Sequence, residues 1–345
     1  MEFLPEKIET EEQLEDCLSQ PGLEVINVLK EIPGDIMILG VAGKIGPSLA
    51  RLLVRSCQAA GIRKRIIGVA RFTAKNIRDF LEQSGVETIS CDLLKEKQVL
   101  TLPQVENLFF LAGMKFGSTG NEPLTWAINT YVPALVASHF RQSRIVALST
   151  GNVYPFVPVT SGGCRETDPV GPVGEYAQSC LGRERIFQYF SQLQGTPVCL
   201  IRLNYAVELR YGVLLDIALK VKRKEPVSLA TGFVNVIWQG EANRIAVQCL
   251  KLCQSPARII NLTGPEIISV RQLALRFGEI FQVHPVFQDT ESPTALLSNP
   301  AQACQLFGPP RVTWQQMVRW VASWISQGGK ILGKQTHFET RDGRF

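Results

Sequence analysis

Three residues in the stretch GEYAQSCLGRERIF have side chains that could carry chemistry. Tyr176 precedes Cys180 by four residues and Arg183 by seven, and on a helix these spacings put the three side chains on one face. A tyrosine can act as an acid or a base where a nearby cation lowers its pKa. It can equally be an aromatic residue that packs against a core. The elements around Tyr176 decide between these two interpretations.

The chain of 345 residues has few side chains in the arrangements that a metal site or a Ser-His-Asp triad requires. The three histidines are isolated and the nine cysteines lack zinc-site spacing, so we predict neither a metal site nor a Ser-His-Asp triad. A net charge of +5, spread without a basic block, argues against nucleic acid as a partner. No apolar run reaches the roughly 20 residues that a membrane helix needs, and the acidic N-terminus does not resemble a signal peptide. We therefore expect a cytoplasmic protein with no membrane partner.

A regular alternation of apolar runs and amphipathic stretches must position the reactive side chains. The candidate strands are residues 35–40, 65–70, 87–90, 107–112, 144–149, 197–203 and 258–263. Helical stretches lie between them at 47–58, 123–141 and 176–193, as in βαβ units. Strands that are apolar at nearly every position are buried on both faces. The pattern predicts an α/β fold with a doubly wound parallel Rossmann sheet.

The order of the segments predicts four parts of the chain. Residues 1–33 form a helical N-terminal extension, and residues 34–203 with 236–263 form the dinucleotide-binding sheet domain. Residues 204–235 and 264–327 are more helical and richer in loops, which predicts a smaller, discontinuous C-terminal substrate lobe. The polar tail, residues 328–345, is either a surface arm or a lid.

The segment DIMILGVAGKIGPSLARLLV has the features of a dinucleotide site. Gly40, Gly43 and Gly46 follow the first strand directly and lead into a helix, with Lys44 and Ile45 between them. Glycines at this place allow a tight turn and let the backbone approach a pyrophosphate at the positive end of the helix dipole. In a strand–turn–helix context such a glycine pattern predicts a bound dinucleotide.

The second strand ends in Arg71, where an NAD-specific enzyme usually has a carboxylate that binds the ribose hydroxyls. A carboxylate repels a 2′-phosphate, whereas an arginine can pair with it through two hydrogen bonds. Lys44 adds a second cation nearby. We therefore favour NADP(H) over NAD(H) as cofactor, with stacking of Arg71 on adenine as the alternative.

With these motifs in order, the chain resembles the extended short-chain dehydrogenases/reductases of the NAD-dependent epimerase/dehydratase family, such as the UDP-galactose 4-epimerases. The resemblance covers about residues 34 to 265. In CDLL it implies adenine contacts at Asp92 and Leu93. In FLAGMKFGSTGNEPLTWAIN it implies that Asn129 braces the carboxyl edge of the sheet. The same stretch implies cofactor contacts at Leu111, Ala112, Gly113 and Lys115.

The segment LSTGNVYP resembles the family's S-S-x-x-V-Y-G motif. The resemblance implies a catalytic hydroxyl at Thr150, a cofactor contact at Ser149 and a substrate contact at Asn152. After the sixth strand, IRLNYAVELRYG follows the family's pattern only loosely. Its asparagine, Asn204, falls one residue early, and we predict that it is a further substrate contact.

The segment ETDPVGPVGEYAQS resembles the approach to the family's catalytic tyrosine and places Tyr176 there, but the Y-x-x-x-K lysine is replaced by Cys180. In the family's mechanism the tyrosine is the acid/base of a hydroxyl–carbonyl interconversion, and the lysine lowers the tyrosine pKa. A thiol cannot supply that charge, and the ordinary role of such a cysteine is to fill a gap between helix and sheet. Lys115, Arg183 or the charge of the oxidised nicotinamide could replace it. We assign the role to Lys115.

The resemblance implies a homodimeric, NAD(P)-dependent epimerase, dehydratase or reductase that acts on a sugar or nucleotide-sugar. Tyr176, Thr150 and Lys115 would carry the chemistry. The alternative is a non-catalytic NAD(P)-binding regulator or scaffold of the same fold, which Cys180 favours. A third interpretation gives the acid/base role to His337 or Asp342 of the tail.

Overall fold

A computed structural model of the chain describes residues 4–344, so the ends of the predicted extension and tail (residues 1–3 and 345) lie outside the described residues. The seven parallel strands of the central sheet are β1 Ile36–Leu39, β2 Ile66–Ala70, β3 Glu87–Ser90, β4 Asn107–Phe110, β5 Arg144–Thr150, β6 Val198–Leu203 and β7 Arg258–Leu262. Their order across the sheet is β3-β2-β1-β4-β5-β6-β7. All seven predicted strands and the doubly wound α/β fold class are confirmed.

The central strands are buried on both faces because their neighbouring residues enter different cores, whereas the edge strand β3 is partly exposed. In β1, Ile36 and Ile38 pack on one face, and Met37 and Leu39 pack on the other. Ile38 lies opposite Phe109 of β4, and both residues belong to the same core. A strand with two buried faces has no polar side, which is why these runs are apolar throughout.

Helices cover both faces of the sheet and build the smaller lobe. The helices of the sheet domain and its N-terminal extension are α1 Glu11–Leu18, α2 Leu23–Glu31, α3 Gly46–Ala60, α4 Lys75–Gln83, α5 Glu96–Val99, α6 Glu122–Trp126, α7 Val132–His139 and α8 Gly174–Gln194. They are followed by α9 Val213–Lys222, α10 Gln239–Gln248, α11 Val270–Phe281, α12 Ala301–Phe307 and α13 Trp314–Ser326. One π-helical turn, Ala127–Tyr131, joins α6 to α7. Among the described helices, none combines the length and the apolar character that crossing a membrane requires.

A separate core holds the lobe beside the sheet's carboxyl edge. Helices α9, α11 and α13 supply most of it, with the large side chains of Phe277, Trp320 and Trp324 fully buried. These helices come from the two segments that the sequence analysis assigns to a discontinuous lobe. The exact domain boundaries stay a prediction.

The N-terminal helices join the two cores. Leu14 and Leu18 of α1 are buried in the core of the lobe, whereas Val25 and Leu29 of α2 are buried in a core of the sheet. Asp16, on the other side of α1, accepts a hydrogen bond from Arg55 of α3 at 3.0 Å. The extension is therefore part of the packed structure.

Candidate active site

The turn between β1 and α3 is built so that a ligand can approach its backbone. Gly40 has a φ of +85°, and a Cβ at this position would lie 2.7 Å from the backbone nitrogen of Ala112. A Cβ at Gly46 would collide with the carbonyl oxygen of Val41. Gly43 is exposed at the tip of the turn. The three glycines leave the N-terminal end of α3 open, as a bound pyrophosphate requires.

Lys44 places a buried cation beside this turn. Its Nζ lies 3.0 Å from the ring centroid of Tyr211 and 3.9 Å from that of Phe116, and it has no hydrogen-bond partner among the described residues. Burial, together with the charges of Lys115 and Lys334, lowers the pKa of Lys44 to about 7. A buried ammonium without a partner fits a site for an anionic group, so the residues present suit a dinucleotide.

The carboxyl ends of β2 and β3 continue the same edge. Arg71 follows β2 directly, is exposed and has no hydrogen bond or ion pair within residues 4–344. Asp92 follows β3, where its Oδ1 accepts a hydrogen bond from the backbone of Leu94 at 3.2 Å, and Leu93 is half-buried. Arg71 and Asp92 follow strands that are neighbours in the sheet, and the contacts with adenosine stay a prediction.

Tyr176 and Thr150 meet at the carboxyl end of β5. Tyr176 lies in the first turn of α8, Thr150 ends β5, and the phenol shares hydrogen bonds with the side chains of Thr150 and Cys180. Burial raises the pKa of Tyr176 well above its ordinary value and the nearby Cys180 raises it further, while Arg183 lowers it. The structure thus brings the predicted tyrosine and hydroxyl together, with the phenol neutral in this state.

Two cations approach this pair in place of the missing lysine. The Nζ of Lys115 lies 5.9 Å from the ring centroid of Tyr176, and burial lowers the pKa of Lys115 to about 8. Arg183 is almost fully buried and donates to the carbonyl oxygen of Leu148 at 2.8 Å. Cys180 itself is fully buried, and burial raises its pKa, so it stays a neutral thiol.

Asn129 connects the loop after β4 to α8. Its Oδ1 accepts hydrogen bonds from the backbone of Met114 at 3.0 Å and from Nη2 of Arg183 at 2.6 Å. Its Nδ2 donates to Oγ of Ser179 at 2.9 Å. Asn129 is therefore placed as the brace that the resemblance implies, on a π-helical turn of the kind that is frequent at functional sites.

The remaining cofactor candidates line the same edge. Ile45 is the residue before α3, and Leu111 and Ala112 follow β4 with half-buried side chains. Gly113 comes next, where a Cβ would lie 2.5 Å from Nη2 of Arg183. The glycine thus leaves room for the guanidinium under the loop.

Two predicted contacts face the interior of the protein. The hydroxyl of Ser149 donates to Oε1 of the buried Glu184 at 2.6 Å. The amide of Asn204 is buried and donates to Oδ1 of Asn235 at 2.9 Å. Both side chains are thus engaged in buried hydrogen bonds of their own, whereas Asn152 lines a pocket that Lys115 also lines.

Sequence reasoning missed a buried polar network behind β5. Glu184 and Arg202 form an ion pair with Nη2 and Oε2 2.7 Å apart, and both side chains are almost completely buried. Nη1 of Arg202 also donates to the hydroxyl of Tyr154, which donates to Oδ1 of Asn261 at 2.8 Å. The signal was an arginine inside the apolar strand segment VCLIRL. This network fixes α8 against the sheet and so positions Tyr176.

Sequence reasoning also left open where the tail lies. A cavity of about 20 Å³ is lined by Lys115, Asn152 and Tyr205 and, from the tail, by His337, Thr340 and Gly343. It approaches Tyr176 through Lys115, whose Nζ lies 5.9 Å from the centroid of the tyrosine ring. The tail therefore covers the pocket. Within residues 4–344, no group of three or more His, Cys, Asp or Glu side chains is arranged to hold a metal ion.

Comparison with known proteins identifies the class. The NAD dependent epimerase/dehydratase family matches residues 36–212, which is just over half of the chain and includes six of the seven sheet strands. The chain belongs to this family, and thus to the extended short-chain dehydrogenases/reductases that its motifs resemble. No protein of curated function matches the sequence.

Solved structures share the fold at low sequence identity. Pal from Bacillus thuringiensis is 18% identical with a TM-score of 0.71, over 85% of this chain and 99% of that chain. UDP-glucose 4-epimerase from Thermus thermophilus, in complex with NAD, is 20% identical with a TM-score of 0.68, over 84% and 98%. UDP-glucuronic acid 4-epimerase from Bacillus cereus, in complex with UDP-glucuronic acid and NAD, is 16% identical with a TM-score of 0.70, over 85% and 99%.

Proposed function

We propose that the chain is an NAD(P)-dependent enzyme that interconverts a hydroxyl and a carbonyl group of a sugar or nucleotide-sugar. The observation that carries the proposal is the phenol of Tyr176 hydrogen-bonded to Thr150 at the carboxyl end of β5. Similar folds have been solved with UDP-glucose and with UDP-glucuronic acid, each together with NAD, which supports this substrate class. Epimerase, dehydratase and reductase chemistry all use this arrangement.

The cofactor would lie along the edge from the glycine turn to Tyr176. Gly40, Gly43 and Gly46 would admit the pyrophosphate, Lys44 would neutralise its charge, and Asp92 with Leu93 would hold the adenine side. The bound nicotinamide would supply or accept the hydride. Because the exposed Arg71 suits a 2′-phosphate, we favour NADP(H); stacking of Arg71 on adenine would instead suit NAD(H), the cofactor present in the similar structures.

Tyr176 would hold and move the proton, and Thr150 would orient the reacting oxygen. In this state the phenol is neutral, so it is ready to donate a proton to a carbonyl oxygen. Taking a proton from a hydroxyl requires the phenolate, which only a positive charge can stabilise in a buried site. We assign that charge to Arg183 together with Lys115, since Arg183 already lowers the Tyr176 pKa and the Nζ of Lys115 lies 5.9 Å from the ring.

Turnover of a sugar panel tests the proposal. Purified protein with NAD⁺ or NADP⁺ is given UDP-glucose, UDP-galactose and UDP-glucuronic acid, with product analysis and the absorbance of the reduced cofactor as readouts. Tyr176→Phe should lower turnover by at least about a hundredfold, because it removes the acid/base. Tyr189→Phe, an exposed tyrosine on the same helix, is the matched control and should change nothing. Retention of activity in Tyr176→Phe would refute the assignment.

A second candidate, a cofactor-binding regulator without catalysis, is favoured by one observation. The phenol of Tyr176 shares hydrogen bonds with Thr150 and Cys180, and both of these side chains are uncharged. Neither carries the positive charge with which a lysine would lower the pKa of Tyr176. Tight NADP(H) or NAD(H) binding with no turnover on the full panel would support this candidate over the enzyme.

A further inference from the structure

The C-terminal tail segment, residues 330–344, lies across the pocket that Lys115 and Asn152 line. It leaves the end of α13 where Nε1 of Trp324 donates to the carbonyl oxygen of Lys330 at 3.0 Å. It is then tied to the lobe, because the backbone nitrogen of Leu332 donates to the carbonyl oxygen of Arg210 at 3.0 Å. Phe338 is buried in the core of the lobe and is the tail's main apolar anchor.

One tail residue accepts a hydrogen bond from a cationic side chain of the proposed site. The Nζ of Lys115 donates to the backbone carbonyl oxygen of Thr336 at 3.3 Å. Thr336 is held there because its backbone nitrogen and its hydroxyl both donate to Oδ2 of Asp216, at 2.8 and 2.6 Å. A tail backbone oxygen thus takes the position in which Lys115 would meet an oxygen of a ligand.

A second tail contact closes the other side of the pocket. Arg341 donates from Nη1 to the carbonyl oxygen of Thr294 at 2.8 Å and from Nη2 to the hydroxyl of the same residue at 2.6 Å. Its guanidinium lies 4.1 Å from the ring centroid of Phe156. Gly343 then packs so closely on Gly174 that a Cβ at Gly174 would lie 2.6 Å from the carbonyl oxygen of Gly343. Gly174 begins the helix that carries Tyr176.

The space left beneath the tail is too small for a sugar. The cavity between Lys115, Asn152 and the tail residues His337 and Thr340 measures about 20 Å³. That volume holds about one water molecule. A hexose has about a dozen heavy atoms, so it cannot enter while the tail is in place.

We propose that residues 330–344 form an autoinhibitory plug of the active site and that substrate binds only after displacing it. The inference rests on the proposed function in one respect, that the ligand is a sugar. Displacement is feasible because residues 332–335 are exposed and the side-chain anchors are few: Thr336 on Asp216, Phe338 in the core of the lobe and Arg341 on Thr294. Loss of the Arg341 contacts therefore opens the site, and an incoming sugar oxygen replaces the Thr336 carbonyl on Lys115.

Labelling of Lys115 tests the plug without any ligand. The Nζ has a pKa of about 8, so near pH 8 it reacts with an amine-acetylating reagent once it is accessible. Labelling at Lys115 is followed by peptide mass spectrometry in the full chain, in Arg341→Ala and in a chain that ends at Glu339 and keeps Phe338. Both variants should label at least about fivefold faster, the factor that corresponds to one ordinary hydrogen bond. Arg344→Ala removes an equal charge from an exposed tail position whose partner is Asp342, and it should label like the full chain.

Calorimetric titration with UDP-glucose separates the plug from the proposed function. If the plug is correct, Arg341→Ala binds UDP-glucose at least about fivefold more tightly than the full chain and Arg344→Ala does not. Equal Lys115 labelling in all four proteins would overturn the plug. Faster labelling without UDP-glucose binding in any protein would uphold the plug and contradict the nucleotide-sugar substrate. Equally tight UDP-glucose binding by the full chain and Arg341→Ala would overturn the plug and leave the proposed function standing.

Discussion

Binding of the cofactor should be coupled to uptake of a proton by Lys44. In the free protein burial and the charges of Lys115 and Lys334 hold the Lys44 pKa near 7, whereas Asp216 and Glu208 act in the opposite direction. A pyrophosphate on the glycine turn would bring negative charge to this ammonium and raise its pKa again. Binding should then favour the protonated form of Lys44.

The size and sign follow from a pKa of about 7 in the free protein. At pH 6 Lys44 is about nine-tenths protonated before binding, so binding takes up only about 0.1 proton. At pH 8 it is about one-tenth protonated, so binding takes up about 0.9 proton. Cofactor affinity should consequently be highest below pH 7 and should fall by up to about tenfold per pH unit above it, until the pKa of the complex is reached.

Isothermal titration calorimetry measures this uptake directly. NADPH is titrated into the protein at pH 6 and pH 8, each in two buffers of different ionisation enthalpy. Lys44→Met keeps much of the side-chain bulk and should lose the 0.9-proton uptake at pH 8, whereas Lys251→Met, an exposed lysine paired with Glu31, should keep it. Equal proton uptake at pH 8 in Lys44→Met and the unaltered chain would refute the assignment to Lys44.

Two further variants test the core and the cofactor preference. Glu184→Gln should lower the free energy of unfolding in urea by about 3–5 kcal/mol, because it leaves the buried Arg202 guanidinium uncompensated. Glu82→Gln, from an exposed pair, should leave the urea midpoint nearly unchanged, and a similar midpoint for both variants would contradict this reasoning. Arg71→Glu should weaken NADPH binding at least about tenfold relative to NADH, since a carboxylate repels the 2′-phosphate. Equal affinities of the unaltered chain for both cofactors in competitive titration would remove the basis for preferring NADP(H).

The sheet could be predicted from sequence because its constraint is local. Each central strand must be apolar on two faces, and Ile38 and Met37 show how neighbouring residues satisfy both cores. The glycine turn was equally predictable, since the positive φ of Gly40 and the close contact of Gly46 with Val41 are requirements of the turn itself. Requirements of such short range produce a pattern that can be recognised in the amino-acid sequence.

The site could be predicted only in part because side-chain direction depends on distant residues. Tyr176 and Thr150 meet because α8 packs beside β5, which the strand order predicts. Ser149 is adjacent to Thr150 in sequence, but the alternation of a strand turns its hydroxyl to Glu184 instead. The tail contact between Lys115 and Thr336 joins residues 221 positions apart, and no local pattern contains it.

The two N-terminal helices limit how the active site can open. A clamshell rotation of the lobe away from the sheet would withdraw either Leu14 and Leu18 from one core or Val25 and Leu29 from the other. Exposing each of these side chains costs about 1.5–3 kcal/mol, so the extension works as a brace against hinge motion between the two bodies. Access to the pocket then depends on smaller elements. The tail segment, residues 330–344, can move while the sheet and the lobe keep their relative positions.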